Sequence, residues 1–375
     1  MEVAIDYSQF QNKKILVTGG LGFIGSNLAH QLIQHGAEVT LFDACLDPYG
    51  WNFANVKEIE EDVRFVKGDV RDRAALERVA RRKDYIFHLA AQVGREISME
   101  DPWLDTETNC TGTLNILEIL RQQANGTRII FAGSRGQVGE PQYLPVDEKH
   151  PCEPTDIYGI NKLAAEKYIL LYNKVYNIPA VSLRLNNVYG PRCQMFNGFY
   201  GILNWFMANA MTNKPITVYG EGLQTRDYVY IDDVVDAFMR AALSPAANGE
   251  YFYVGSAVET KFIDMVHEVV RAVGKGEITH VPFPASREKI DIKRFVVSTE
   301  KINHALGWQS TVSLRSGVEM TATFYRDRLG EYLRQGLNFM SFDSGFCWSQ
   351  QQLKLFPPLQ LDNFAIIALR LVAFD

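Results

Sequence analysis

The sequence predicts an α/β fold: a doubly wound parallel sheet joined to a smaller lobe assembled from discontinuous segments. Three observations carry this expectation. Through the first half, short β-branched runs alternate with longer segments of helical periodicity, the pattern of a parallel sheet covered on both faces. A glycine-rich turn follows the first of those runs. After Gly190-Pro191 the alternation breaks into loop-rich sequence.

In chain order, KILVT at residues 14–18 reads as a buried strand and helical spacing follows over 23–34. Strands are expected at 38–42, 63–67, 85–89, 128–133 and 180–185, with helices at 71–82, 106–122 and 157–176 between them. The basic run RVARRKD at 78–84 reads as a solvated helix face rather than a nucleic-acid patch. Farther on, helices are expected near 199–210, 232–243, 262–273, 298–306 and 313–333, and strands near 216–219, 227–231 and 279–283. The aromatic stretch FNGFYGILNWF at 196–206 reads as core with a pocket edge. The expected division is a sheet domain over 1–190, completed by about 227–258, and a second lobe over 191–226 and 259–335. Residues 336–375 form a surplus tail with a Pro-Pro break and no clear periodicity. They are expected to be poorly ordered or loosely docked, and dispensable for activity.

Composition narrows the classes. Hydrophobic residues at 47% against 22% charged exclude a disordered or fibrous chain. With 38 Lys and Arg against 44 Asp and Glu, the net charge of −6 has the wrong sign for whole-chain affinity to nucleic acid or an anionic membrane. Any anionic ligand must therefore meet a local site. The cysteines, Cys45, Cys110, Cys152, Cys193 and Cys347, are scattered and form no CxxC or Cys/His cluster, so neither a disulfide framework nor a bound metal is expected. The N-terminal MEVAIDYSQFQNKK lacks the order of a signal peptide, and FAIIALRLVAF at 364–374 is interrupted by Arg370 and too short to cross a bilayer. A cytoplasmic protein is expected.

The stretch TGGLGFIG at 18–25 places Gly19, Gly22 and Gly25 between strand and helix. Gly19 suits a tight turn, Gly22 lets backbone amides approach a pyrophosphate, and Gly25 allows close helix packing. Asp43 stands at the end of the second strand, where a carboxylate accepts from ribose hydroxyls and repels a 2′-phosphate, favouring NAD over NADP. Asp69, in GDVRD after the third strand, is either an adenine contact or a helix cap.

Tyr158 and Lys162 stand four apart on a helix and share a face. An ammonium beside a phenol favours phenolate, lowering its pKa from about 10 toward working pH, so Tyr158 can take a proton from a substrate hydroxyl. Ser134 closes the fifth strand, at the sheet edge where ligands of open parallel sheets bind. Each motif alone is weak; in this order on these elements they reinforce one another. His88 reads as a strand-end residue rather than a catalytic one.

These residues resemble the extended short-chain dehydrogenase/reductase family, in particular its NAD-dependent nucleotide-sugar epimerase/dehydratase branch, the group that includes UDP-glucose 4-epimerase. The resemblance spans roughly nine-tenths of the chain through TGGLGFIG, GDVRD, HLAA (88–91), YGINK (158–162), LRLNNVYGPR (183–192) and QTRDYVYIDDV (224–234). It implies a Rossmann domain with NAD held by Gly19, Gly22, Phe23, Ile24, Gly25, Asp43, Asp69, Val70, Leu89, Ala90, Ala91, Asn109, Tyr158 and Lys162. It also implies Ser134, Tyr158 and Lys162 as catalytic residues. Ser134, Asn187, Arg226 and Arg287 are implied to contact a nucleotide-diphosphate sugar, with a surface ion pair to Glu288 or Asp291 the alternative for Arg287. A homodimer through the catalytic helix is the family default.

The sequence departs from the family pattern in one informative place. Relatives that dehydrate or decarboxylate the sugar carry acidic residues directly after the strand-end Ser or Thr, whereas here Arg135 and Gly136 follow. Epimerisation of a nucleotide sugar, with C4 the expected carbon, is therefore the leading reading. Net oxidation or reduction, dehydration, and a non-catalytic NAD-binding regulator are the alternatives.

Overall fold

Strands β1 (Lys14–Thr18), β2 (Glu38–Asp43), β3 (Val63–Lys67), β4 (Tyr85–His88), β5 (Arg128–Ser134) and β6 (Ala180–Leu185) lie where their apolar runs place them. They come from a computed structural model that describes residues 5–47, 49–283 and 292–333. Four short strands follow, β7 (Asn187–Tyr189), β8 (Ile216–Tyr219), β9 (Thr225–Arg226) and β10 (Tyr228–Tyr230), and then β11 (Glu250–Val254). β11 completes a seven-stranded sheet in the order β11-β6-β5-β4-β1-β2-β3, with every pair parallel. The sequence reading resolved no strand at 250–254. The run EYFYV is short and aromatic, and its inner half is buried without alternation, which removes the period-2 signal.

The helices that matter for the site are α1 (Phe23–Gln34), α2 (Arg73–Ala80), α3 (Arg95–Glu100), α4 (Pro102–Thr106), α5 (Gly112–Gln123), α6 (Ile157–Tyr176), α7 (Ile202–Met211), α8 (Ile231–Leu243) and α9 (Phe262–Val273). They cover both faces of the sheet, as successive residues of β1 show. Ile15 and Val17 join an apolar cluster with Leu28 of α1 and Phe238 of α8. Leu16, between them, joins Leu76 of α2, Ile116 of α5 and Ile169 of α6.

Two expected helices are broken. The segment expected as one helix over 106–122 is the end of α4, a π-helical turn at Glu107–Thr111, and then α5. Such wide turns recur at functional sites, and this one carries Asn109. The segment 313–333 splits into Leu314–Arg326 and Leu329–Tyr332. Behind α6, a buried ion pair ties helix to sheet. Glu166 accepts from Arg184 Nη2 at 2.6 Å, Arg184 Nε at 3.0 Å and Ser182 Oγ at 2.8 Å, while Arg184 Nη1 donates to the Tyr253 phenol at 2.8 Å. Among the described residues no helix is long and apolar enough to cross a membrane. Arg287 and the 336–375 tail lie outside the described residues.

Candidate active site

At the end of β1 the backbone turns tightly, with Gly19 at φ +70°. A Cβ on Gly25 would stand 2.3 Å from the Gly19 carbonyl oxygen, and one on Gly19 would stand 2.9 Å from the Ala90 nitrogen. Only glycine permits so close an approach of α1 to the turn. Gly22 offers no side chain to cap α1, so the first N–H groups of that helix remain available to an anion. A cleft opens there. Its walls include Gly19, Gly22, Phe23, Ile24, Gly25, Asp43, Asp69, Val70, Leu89, Ala90 and Ala91, bringing together most of the residues expected to hold a cofactor.

The two acidic residues in this cleft differ. Asp43 accepts from the Leu21 and Cys45 amides at 3.1 and 2.9 Å, and burial pushes its pKa upward. Asp69 does not cap α2; Asp72 does, accepting from the Ala75 amide. The Asp69 carboxylate takes the fork of Arg71 instead, and although burial opposes it, that fork lowers its pKa. Asn109 is not on the cleft wall, but its Nδ2 donates to the carbonyl of the wall residue Gln92 at 3.1 Å. Gln92 Oε1, Thr108 Oγ1 and Asn109 Oδ1 are buried with no hydrogen-bond partner among the described residues. Unmet acceptors beside a glycine cradle fit a polar dinucleotide. Gln92, Thr108, Tyr49, Gln194 and Tyr200 also line the cleft; sequence reasoning missed them because no motif marks residues gathered from separate loops.

Ser134 and Tyr158 meet where the turn after β5 abuts the start of α6. Asp156 caps α6 through the Gly159 amide at 2.7 Å, and the Tyr158 amide donates to Ser98 Oγ at 3.1 Å. A Cβ on Gly159 would stand 2.4 Å from the Gly136 carbonyl oxygen, so a glycine must follow Tyr158 for helix and turn to touch. Ser134 Oγ accepts from the Gly136 amide at 3.1 Å, which leaves its own proton for the Tyr158 phenol. Burial raises the Tyr158 pKa to about 12, with the Ser134 hydrogen bond and Arg135 pulling the other way. That is opposite in sign to the lowering expected from sequence, because burial outweighs the neighbouring donors.

Lys162, one turn along α6, is buried and makes no hydrogen bond among the described residues; its Nζ lies 4.6 Å from the centroid of the Phe131 ring. Burial lowers its pKa to about 8, with Asp105 and Cys110 opposing. His88 sits beneath, with Thr18 Oγ1 2.9 Å from Nδ1 and Thr113 Oγ1 3.0 Å from Nε2. Thr113 already donates to the Asn109 carbonyl, so its oxygen accepts from Nε2–H, and Nδ1 accepts from Thr18. Burial and the Lys162 charge push the imidazole down to about 3, so it remains neutral.

Two expected sugar-side residues lie together near the β7–β10 pair. Asn187 Nδ2 donates to the Asp227 carbonyl at 3.0 Å, and Arg226 Nη1 to the Thr225 and Ile292 carbonyls at 2.8 and 2.6 Å. Between Arg226 and Tyr228, the carboxylate of Asp227 accepts from Ser256 N and Oγ, Ala257 N, Val297 N and Asn186 Nδ2.

A family model described as GDP-mannose 4,6 dehydratase matches residues 16–321 of this chain. The chain belongs to the NAD-dependent nucleotide-sugar epimerase/dehydratase family. Within that family it is 34% identical to a putative UDP-glucose 4-epimerase of Methanocaldococcus jannaschii over 84% of this chain and 98% of that one. It is also 34% identical to the UDP-glucose 4-epimerase of Mycolicibacterium smegmatis, covering 84% of this chain and 99% of the relative. Among solved structures, the UDP-glucose 4-epimerase of Thermus thermophilus in complex with NAD superposes with a TM-score of 0.75 at 32% identity, over 84% of this chain and 99% of that one. Dehydratases also match: a probable dTDP-glucose 4,6-dehydratase of Sinorhizobium fredii is 29% identical over 83% of this chain and 92% of its own length. Family membership thus leaves epimerase and dehydratase chemistry both represented.

Proposed function

We propose that this family member binds NAD and epimerises a nucleoside-diphosphate sugar at C4 through a transient keto sugar. The observation that carries the choice is the turn beside Tyr158: Ser134 is followed by Arg135 and Gly136, which offer no carboxylic acid there to expel water. NAD, when bound, accepts a hydride from the sugar carbon and returns it. Tyr158 takes the proton from the sugar hydroxyl and gives it back, while Ser134 hydrogen-bonds the reacting oxygen. Lys162 fixes the cofactor ribose, while Ser134 and Arg135 are the neighbours that draw the Tyr158 pKa down against its burial. Gly22 and the first turn of α1 hold the pyrophosphate, Asp43 the adenosine ribose, and Arg226 and Asn187 the substrate diphosphate side, with Arg287 a further candidate. Because the hydride would be returned, no net NADH would accumulate, and its return to the opposite face would invert C4.

Incubating the protein with NAD and a panel of UDP-, dTDP-, GDP- and CDP-sugars and following the products by NMR should reveal a C4 epimer. Tyr158→Phe should slow turnover by about 10²–10⁴-fold. Stoichiometric NADH formation would mark net oxidation instead, and a 4-keto-6-deoxy product would mark dehydration. The free thiols of Cys45, Cys110, Cys152 and Cys193 suit a reducing cytoplasm, and the apolar outer face of α6 suits a homodimer.

A further inference from the structure

His88 closes β4 and has no part in the proposed proton transfer, yet the hydrogen bonds around it all run in one direction. Thr113 Oγ1 donates to the Asn109 carbonyl at 2.6 Å. It therefore accepts from His88 Nε2–H at 3.0 Å, and His88 Nδ1 accepts from Thr18 Oγ1 at 2.9 Å. Thr18 Oγ1 accepts in turn from the Leu89 and Ala90 amides, each at 3.2 Å. Thr18 and Thr113 are fully buried and His88 is 1% exposed, so no link is open to bulk water.

The two ends of this chain are two walls of the cofactor cleft. At one end Leu89 and Ala90 line it, and Ala90 abuts the glycine turn, where a Cβ on Gly19 would stand 2.9 Å from its nitrogen. At the other end Asn109 shares the π-helical turn with the wall residue Thr108, and its Nδ2 holds the carbonyl of the wall residue Gln92 at 3.1 Å. A neutral imidazole offers one donor and one acceptor, and only its Nε2–H form continues the chain both ways. Burial and the Lys162 charge keep the ring neutral. A buried donor deprived of its acceptor pays the full desolvation of that group, so loss of the ring nitrogens drives both walls to shift toward other partners.

We propose that His88 is a positioning residue for the cofactor: as the central link of a hydrogen-bonded brace, it sets the spacing between the Leu89–Ala90 wall and the wall at the π-helical turn, and with it the fit of NAD. The brace acts on cofactor binding and is independent of which sugar reaction follows.

The test is calorimetric titration of the full-length chain, freed of bound nucleotide, with NAD. His88→Phe keeps an aromatic ring against Phe131, whose centroid lies 5.7 Å from that of the imidazole, but removes both nitrogens. It should weaken NAD binding at least about 10-fold. His88→Gln keeps one donor and one acceptor and should stay within about 3-fold of the wild type. Thr113→Val cuts only the link to the π-helical turn and should cost about 3–10-fold. Thermal melts establish which variants are folded, and Thr113→Val carries the test if His88→Phe is not. The nitrogen shifts of His88 in NMR should report the Nε2–H tautomer. A histidine kept only for packing gives the opposite pattern, with Phe tolerated and Gln not. Wild-type NAD affinity in His88→Phe or Thr113→Val, equal losses in His88→Phe and His88→Gln, or an Nδ1–H ring would overturn the brace. The expected NAD affinities without any epimer from a nucleotide sugar would sink epimerisation and leave the brace standing, and an epimer with unchanged NAD affinities would do the reverse.

Discussion

Lys162 keeps its ammonium where burial lowers its pKa from 10.5 to about 8. Below pH 8 the folded and unfolded chains both carry this proton, so the cost of burying the charge is fully present there. Between 8 and 10.5 only the unfolded chain holds the proton, and stability rises with pH. Lys162→Met should therefore raise the unfolding free energy at pH 7 by about 1–3 kcal/mol while abolishing turnover, with the gain shrinking above pH 8. Urea titrations at pH 7 and 10 measure it; a loss of stability at pH 7 would show that Lys162 is better compensated than its burial indicates. Gly25 makes a second residue-scale case. Because its Cβ would collide with a backbone oxygen, Gly25→Ala should displace α1, costing about 1–3 kcal/mol and weakening NAD binding at least about tenfold, readable by calorimetry.

At the scale of elements, α6 does two jobs: one face presents Tyr158 and Lys162, and its buried flank carries Glu166. Arg184→Met strands that carboxylate and should cost about 3–5 kcal/mol in urea unfolding, whereas adding Glu166→Leu should recover much of the loss. Helical periodicity made α6 legible over 157–176, and the structure closes those ends locally, with Asp156 capping the first turn and Asn177 in the left-handed conformation (φ +55°) after the last. The π-turn was not, since its widening is imposed by packing: Asn161 of α6 donates to Asp105 and Thr106, and Cys110 contacts Asn161. The candidate site divides the same way. The glycine turn, Ser134, Tyr158 and Lys162 announce themselves through spacing along the chain. The His88 bridge to Thr18 joins residues 70 apart, and Asn187 reaches the Asp227 carbonyl across 40 positions, separations that no window of neighbouring residues reports.

For the whole molecule, the outer face of α6 is the feature that calls for a partner. Ile160, Leu171 and Val175 are each more than half exposed, and Trp103 on α4, which packs against α6, is 77% exposed. Exposed apolar side chains repeated along one helix suit an interface, and a twofold interface uses the same surface twice. The wild-type chain should therefore run as a dimer in light scattering, and Leu171→Glu with Val175→Glu should shift it toward monomer. A monomeric wild type would remove this proposal without touching the site chemistry.

The carboxylate of Asp227 gathers donors from three separate segments, while Ser134 and Tyr158 hang from β5 and α6. The proposed reacting pair and the proposed sugar side are thus anchored to different parts of the framework. A substitution in the segments that meet at Asp227 would therefore alter one without displacing Ser134 and Tyr158. Such a division would let specificity drift by small steps while the catalyst is inherited unchanged.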